Sequence, residues 1–261
     1  PCVECNRSVK FDHFITQAKK LNCDKVATGH YAKIIKKNNE FELHKADYLD
    51  KDQSYVLHML KSSDLENISF PLGEISKPEV RQIAARIGLK TAFKKDSQDI
   101  CFVGKKDYRS FVEKRIDLTS PGEIFDIEGN KVGDHNGIHE FTVGQRKGLP
   151  GGYGTPRYVT KINVQNKNVT IGEKKDLLVS SFIVEELSCV NNLEYNNLTI
   201  QTRYNSEDLP CEIKKLSDTK VLVQLNEPAI GVAPGQFGVI YNGTKVVCGG
   251  RISPKVLENI G

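Results

Sequence analysis

No run of apolar residues in this 261-residue chain approaches the length needed to cross a bilayer, and no charged, apolar, small-residue leader opens it. Both absences lead to the expectation of a cytoplasmic protein with no membrane partner. A disulfide framework is missing too. The seven cysteines are odd in number and irregularly spaced, which suits reduced thiols in a cytosolic setting. Cys2 and Cys5 form a C-x-x-C, but no second such pair supplies the closing ligands of a structural zinc site. There is no internal repeat and no low-complexity segment. A Gly-rich basic stretch does occur at Phe141-Thr142-Val143-Gly144-Gln145-Arg146-Lys147-Gly148. It lacks the spacing and strand-to-helix setting of a phosphate loop and reads as a surface loop open to an RNA backbone.

What remains is ordinary for a soluble chain: 38% apolar and 27% charged residues, and length for two domains or three small ones. The net charge of +4 is unevenly spread. The last 84 residues hold seven Lys and Arg against nine Asp and Glu, so the first 177 carry +6. An RNA partner would find its phosphate attraction in the first two thirds, although a solvated Lys-rich surface explains the charge equally well.

Two cysteine-bearing stretches organise the chain: Pro1-Cys2-Val3-Glu4-Cys5-Asn6 and Asp96-Ser97-Gln98-Asp99-Ile100-Cys101-Phe102. A thiol set among Ser, Gln and Asp is not placed like a core-filling cysteine. A C-x-x-C by itself is compatible with a redox pair, half a metal site or cluster ligation. Asn6 suits an N-cap, and Phe11, Phe14, Ile15, Ala18 and Leu21 recur at helical spacing, so the pattern predicts an amphipathic helix over 7–21. A short strand over 24–30 then runs into a turn at Gly29 and His30, the place beyond a strand end where α/β sheets hold ligands. Residues 31–36 and 40–45 read as a hairpin around Asn38-Asn39, and Lys51-Asp52-Gln53-Ser54-Tyr55 opens a helix to about Leu60. Ser76-Lys77-Pro78-Glu79 is a capping box, with Val80, Ile83, Ala84 and Ile87 on one helix face and a stop at Gly88. A short helix is expected over 107–115. From Ser120 onward helical periodicity gives way to short alternating strands. Those at 198–204, 211–216, 221–225 and 237–241 suggest a small β-barrel.

Taken together, PCVECN, ATGHY (27–31), KDQSY (51–55), DSQDICF (96–102), GEIFD…FTVGQRKGL (122–149), TRY (202–204) and PGQ (234–236) resemble the bacterial tRNA-specific 2-thiouridylases, in family order and along essentially the whole chain. The resemblance implies an adenine-nucleotide α/β hydrolase-like domain, incomplete here, over 1–117. A small β-rich central domain over 118–176 and a C-terminal β-barrel over 177–261 would follow. It also implies ATP-dependent replacement of the wobble uridine C2 oxygen by sulfur. In that chemistry Cys101 resembles the residue that carries the delivered sulfur, and Cys5 the partner that attacks the persulfide and can end in a disulfide with it. Gly29 looks like an ATP-contacting glycine. His30, the turn Lys51, Asp52 and Gln53, the barrel pair Arg203 and Tyr204, and Gln236 look like tRNA contacts. Partners would be tRNA and a sulfur-delivering protein or inorganic sulfide.

Two departures stand out. The family's Ser-Gly-Gly-x-Asp-Ser phosphate loop is absent, which suggests an N-terminally truncated piece that by itself would bind ATP very weakly and not thiolate tRNA. Cys2 stands where many relatives carry Asp. Cys2, Cys5 and Cys101 then form a three-thiol set able to hold a 4Fe–4S cluster with one iron open, so persulfide and cluster chemistry both remain in play. The rival readings are a thiol-disulfide oxidoreductase using Cys2 and Cys5, and a non-catalytic RNA-binding module. Cys23, Cys189, Cys211 and Cys248 read as packing cysteines.

Overall fold

The computed structural model describes residues 2–94, 120–189 and 196–254. The motif at 96–102 with Cys101, and the helix expected over 107–115, lie outside the described residues. The chain forms two compact units. One combines Pro1–Asp96, Ser180–Glu227 and Pro234–Gly261, and the other comprises Ser97–Val179 with Pro228–Ala233. Among the described residues no helix is long and apolar enough to cross a membrane.

The first unit opens with a helical run of α1 (Cys2–Glu4), π-helical turns over Cys5–Asp12, and α2 (His13–Lys20). The helix therefore starts at Cys2, not after Asn6. The Asn6 side chain is buried and donates from Nδ2 to the Val56 carbonyl at 3.2 Å, so it anchors the helix instead of capping it. The buried face is Val3, Phe11 and Ile15, while Phe14 and Leu21, expected inside, are exposed. Each π turn takes up extra chain compared with an α turn, and this shifts the side chains downstream out of simple 3.6-residue register. Strand β1 (Val26–Ala27) is shorter than expected, and β2 (Lys33–Lys37) and β3 (Glu40–His44) form the expected hairpin. Asn38 and Asn39 both have positive φ, 47° and 64°, as a tight primed turn requires. Then follow α3 (Ser54–Leu57), α4 (Ser62–Leu65), β4 (Ile68–Ser69), which pairs in parallel with β1, and α5 (Lys77–Arg86). The capping box is present in both directions between Ser76 and Glu79, and Gly88 at φ 74° ends the helix. Its apolar stripe is largely exposed at Ile83 and Ile87.

The second unit carries β5 (Gly122–Phe125), β6 (Lys131–His135), β7 (Tyr158–Asn163) and β8 (Asn168–Gly172), in the order β6-β5-β8-β7. Its core is Ile124, Ile138, Val159, Val169 and Ile171.

The chain then returns to the first unit with β9 (Val179–Cys189), β10 (Leu198–Gln201), β11 (Leu209–Ser217), β12 (Lys220–Ala229), β13 (Phe237–Asn242) and β14 (Lys245–Ile252). Their order is β13-β10-β11-β12-β9-β14, and β13 pairs back onto β14, so these strands close into a barrel. The β2–β3 hairpin extends the sheet beyond β14, where Lys245 faces His44. One core therefore joins the two ends of the chain: Phe11, Ile15, Leu43, Tyr55, Leu57, Leu65 and Ile68 pack with Val239, Tyr241 and Val246. Among the cysteines, Cys211 and Cys248 are buried as expected. Burial pushes the Cys211 thiol up to about 12, which leaves it unreactive. Cys23 is exposed and is not a packing residue; it sits where the chain leaves α2, beyond the buried face.

His58 sits fully buried in this core. Its Nδ1 is 2.7 Å from the Tyr55 carbonyl, Nε2 has no hydrogen-bond partner among the described residues, and the ring lies 5.1 Å from that of Phe237. Burial lowers its pKa from 6.5 to about 4, with the Tyr55 carbonyl opposing. The unfolded chain therefore takes up a proton that the folded one refuses between those values. The His58 contribution is complete above pH 6.5 and falls progressively as pH drops to 4, a loss of about 3 kcal/mol. Urea unfolding from pH 7 to 4 should show this slope, and His58→Gln should flatten it by about one proton. Gly249 faces the same ring: a Cβ there would run into His58 Cδ2, so Gly249→Ala should cost about 1–3 kcal/mol in the same assay.

Candidate functional site

The C-x-x-C lies on the first turns of the opening helical run, with Cys2 exposed and Cys5 half-buried. Val3 between them is buried and fixes the helix face. Glu4 is reached from the last barrel strand: Arg251 NH2 lies 3.6 Å from Glu4 Oε1, and Arg251 Nε lies 3.4 Å from Glu186 Oε2. The Arg251 guanidinium also sits 4.9 Å from the centre of the Phe237 ring. A cation from β14 thus ties the thiol-bearing turn to the barrel. Neither Glu4 nor Arg251 was among the residues singled out in the sequence, because their pairing spans almost the whole chain.

Asp52 is the second fixed point. It is buried; Oδ1 accepts from Ala46 N at 2.8 Å and Ser54 N at 3.3 Å, and Oδ2 accepts from Ser54 Oγ at 2.6 Å. Burial raises its pKa, while these donors and the Lys45 charge pull the other way. Ser54 Oγ continues to Tyr241 Oη at 3.2 Å on β13. Tyr55 donates to the Phe237 carbonyl at 2.9 Å, and its ring lies 6.1 Å from that of Tyr204. Tyr204 stands in a tight turn in which Ser206 N donates to the Arg203 carbonyl at 3.1 Å and Asn205 has φ 57°. Tyr204 is 45% exposed. Burial, and then the charges of Asp52 and of a Cys2 thiolate, hold its phenol above the ordinary value. Because α1 packs against α3, whose Tyr55 meets Tyr204, the residues Cys2, Asp52 and Tyr204 share one neighbourhood. Beside it lies a cleft of about 460 Å³, walled by Lys45, Asp50, Asp52, Tyr55, Tyr204 and Asp208 among others.

The remaining candidates divide. Gly29 is exposed and a Cβ there would meet only Leu72 at 3.6 Å, so the position is open but has no steric need for glycine. His30 is buried between Phe11 and Phe70, bonded to Thr28 Oγ1 at 2.8 Å, with its pKa lowered to about 4 by burial and then by Lys10. It is a neutral ring at neutral pH. Gln53 closes the chain onto residue 31, giving its backbone N–H to the Tyr31 carbonyl at 2.7 Å and accepting from Tyr31 N at 3.1 Å. Lys51 and Arg203 are partly exposed and Gln236 is exposed, with the Gln236 carbonyl accepting from Ile252 N at 2.7 Å. Among the described residues no three His, Cys, Asp or Glu side chains could hold a metal. Cys2 and Cys5 offer two thiolates, and Cys101 lies outside the described residues.

In the second unit, the Gly-rich basic loop is pinned. Gln145 accepts from Thr142 N and donates to the Lys147 carbonyl, both at 3.0 Å, and Gly144 N bonds the Val159 carbonyl at 2.8 Å. Arg146 and Lys147 project exposed from it.

Comparisons with known proteins cover nearly the whole chain. Residues 1–105 match the family described as tRNA methyl transferase HUP domain, 109–173 the tRNA methyl transferase PRC-barrel domain, and 179–252 the aminomethyltransferase beta-barrel domain. The tRNA-specific 2-thiouridylase MnmA of Chloroflexus aurantiacus is 41% identical over 258 residues, 97% of this chain and 72% of that protein. Its counterpart in Rickettsia prowazekii is 41% identical over 261 residues, covering 98% and 73%, and that of Lachnoclostridium phytofermentans 40% over 260 residues, covering 97% and 72%. The HUP, PRC-barrel and β-barrel succession agrees with the α/β part, central β-rich part and barrel expected from the sequence.

The geometry makes Asp52 a structural hub before it is anything else. Asp52→Ala leaves Ala46 N, Ser54 N and Ser54 Oγ without their acceptor and should cost about 2 kcal/mol of stability in urea. A variant of wild-type stability with weakened RNA binding would instead make Asp52 a direct contact.

Proposed function

The chain belongs to the tRNA-specific 2-thiouridylase family, and from that premise we propose that it replaces the C2 oxygen of the tRNA wobble uridine with sulfur by an ATP-dependent, cysteine-borne route. One observation carries the reading: an exposed aromatic residue, Tyr204, stands in the neighbourhood of Cys2, the exposed thiol of the C-x-x-C, whose turn is tied to the barrel by Arg251 and Glu4. An unpaired loop base needs a stacking surface once it leaves the anticodon stack, and a tyrosine beside a thiol supplies it where sulfur must arrive.

The C2 oxygen of a uridine is a poor leaving group. Attack of that oxygen on the α-phosphate of ATP expels pyrophosphate and turns it into part of an AMP leaving group. The outer sulfur of a Cys101 persulfide then bonds to C2 and AMP departs. Cys5, as thiolate, attacks the Cys101 sulfur, releasing the transferred sulfur to the base and leaving a Cys5–Cys101 disulfide that an external thiol must reduce. Gly29, open and exposed at the end of β1, is the described position offered to the nucleotide. Arg203 and Lys51 would meet phosphate, and Gln236 offers an amide to the RNA. The sulfur would come from a delivering protein or inorganic sulfide. A 4Fe–4S cluster, if bound by Cys2, Cys5 and Cys101, would supply an open iron for hydrosulfide. The persulfide route uses Cys5 and Cys101, the cluster all three thiols, and both routes depend on Cys101, which lies outside the described residues.

Anaerobic preparations of the full-length protein decide between the two sulfur sources. Cys5→Ser and Cys101→Ser should abolish thiolation while Cys2→Ser only slows it, and iron-free protein should be fully active with a sulfur donor. Activity strictly proportional to iron, lost equally in all three variants, would overturn the persulfide reading. For RNA contact, Arg203→Ala should weaken tRNA binding and lower the slope of log affinity against log salt by about one.

A further inference from the structure

The buried side of the cleft holds a cation that the reaction does not use. The Lys45 side chain is 7% exposed, and Nζ contacts both carboxylate oxygens of Asp208, at 2.7 and 2.6 Å. The same ammonium lies 4.1 Å from the centre of the Tyr241 ring, whose hydroxyl continues to Ser54 and Asp52. Its backbone is fixed as well, since Lys45 N donates to the Thr244 carbonyl at 2.8 Å. Lys45 is therefore immobilised from the core, and its one outward bond goes to the far end of the segment that begins with Arg203 and Tyr204. At the near end that segment carries the Tyr55–Tyr204 ring contact and its own Arg203–Ser206 turn bonds. Asp208 is 38% exposed, so this pair spans from core to cleft wall.

We propose that Lys45 is a positioning residue for tRNA recognition: through its ion pair with Asp208 it sets the 203–206 turn, and so places the Tyr204 ring for stacking beside the C-x-x-C. The inference rests on the reading of Tyr204 as an RNA contact given above. An ammonium so enclosed has no face for a phosphate, which separates it from Lys51 and Arg203. Its effect on RNA must pass through the turn.

The test is a double-mutant cycle in the full-length protein, read as tRNA KM, kcat and salt slope of binding. Lys45→Met should raise KM about fivefold to tenfold with kcat and salt slope unchanged, because ordering of a binding element is lost and no phosphate contact is. The loss should vanish when Tyr204→Ala is already present. Lys45→Arg, whose fork can still hold Asp208, should recover most of it. Asp208→Asn, at a partly exposed position that does not threaten the fold, should act in the same direction, with thermal unfolding of every variant measured alongside. An undiminished Lys45→Met effect in the Tyr204→Ala background, or a salt slope reduced by one, overturns the proposal. If Tyr204→Ala alone leaves KM unchanged, the reading of the site itself fails, and that result is distinct from either.

Discussion

A carboxylate taken out of water must be surrounded by donors, and the buried Asp52 has gathered three of them from residues 46 and 54. Those bonds fold the 46–54 segment into a fixed corner. From that corner Ser54 reaches Tyr241, Tyr55 reaches Phe237 and Tyr204, and Lys45 reaches Asp208. The candidate site is the outer surface of this arrangement. Its Tyr204 ring, cleft wall and thiol-bearing helix are placed by polar groups that lie behind them.

The second constraint is the seam between the hairpin and the barrel. β3 and β14 meet where Lys245 faces His44, and Glu42 closes the seam by accepting from Lys245 Nζ at 2.7 Å and His44 Nε2 at 3.0 Å. Burial works against the Glu42 charge, but the bonds and charges of Lys245 and His44 outweigh it and hold its pKa low. With Val239, Tyr241 and Val246 sharing the core of Phe11 and Leu57, the first and last segments behave as one compact body. This is why an arginine from β14 can reach the C-x-x-C turn at the opposite end of the sequence.

The local elements with strong chemical signatures were legible from residue order. The Asn38-Asn39 hairpin, the Ser76–Glu79 capping box and the strands at 211–216, 221–225 and 237–241 appear close to where their patterns put them. Local chemistry misled where a tertiary partner outbid it. Asn6 reads as a cap, but Val56 takes its side chain and the helix begins at Cys2, five residues earlier than expected. Phe14 and Leu21 fit a helical stripe, but the π turns of 5–12 rotate them out of the core. The thiols, the glycine and the basic positions of the candidate site can be singled out from the sequence as expectations, since each is a distinctive residue type in a short motif.

The sequence by itself determined the family, the reaction class its motifs point to and most of the strand pattern, because these reside in residue identity and short-range spacing. Only the tertiary structure decided which named residues face outward. His30 and Asp52 carry polar side chains in a motif-like context, yet His30 is enclosed by Phe11 and Phe70 and Asp52 by its own donors. Likewise, nothing near Lys45 in the sequence indicates Asp208, 163 positions away. Pairings of that kind come from the closing of the barrel onto the hairpin, where burial makes an unmatched charge so costly that the fold must bring its partner to it.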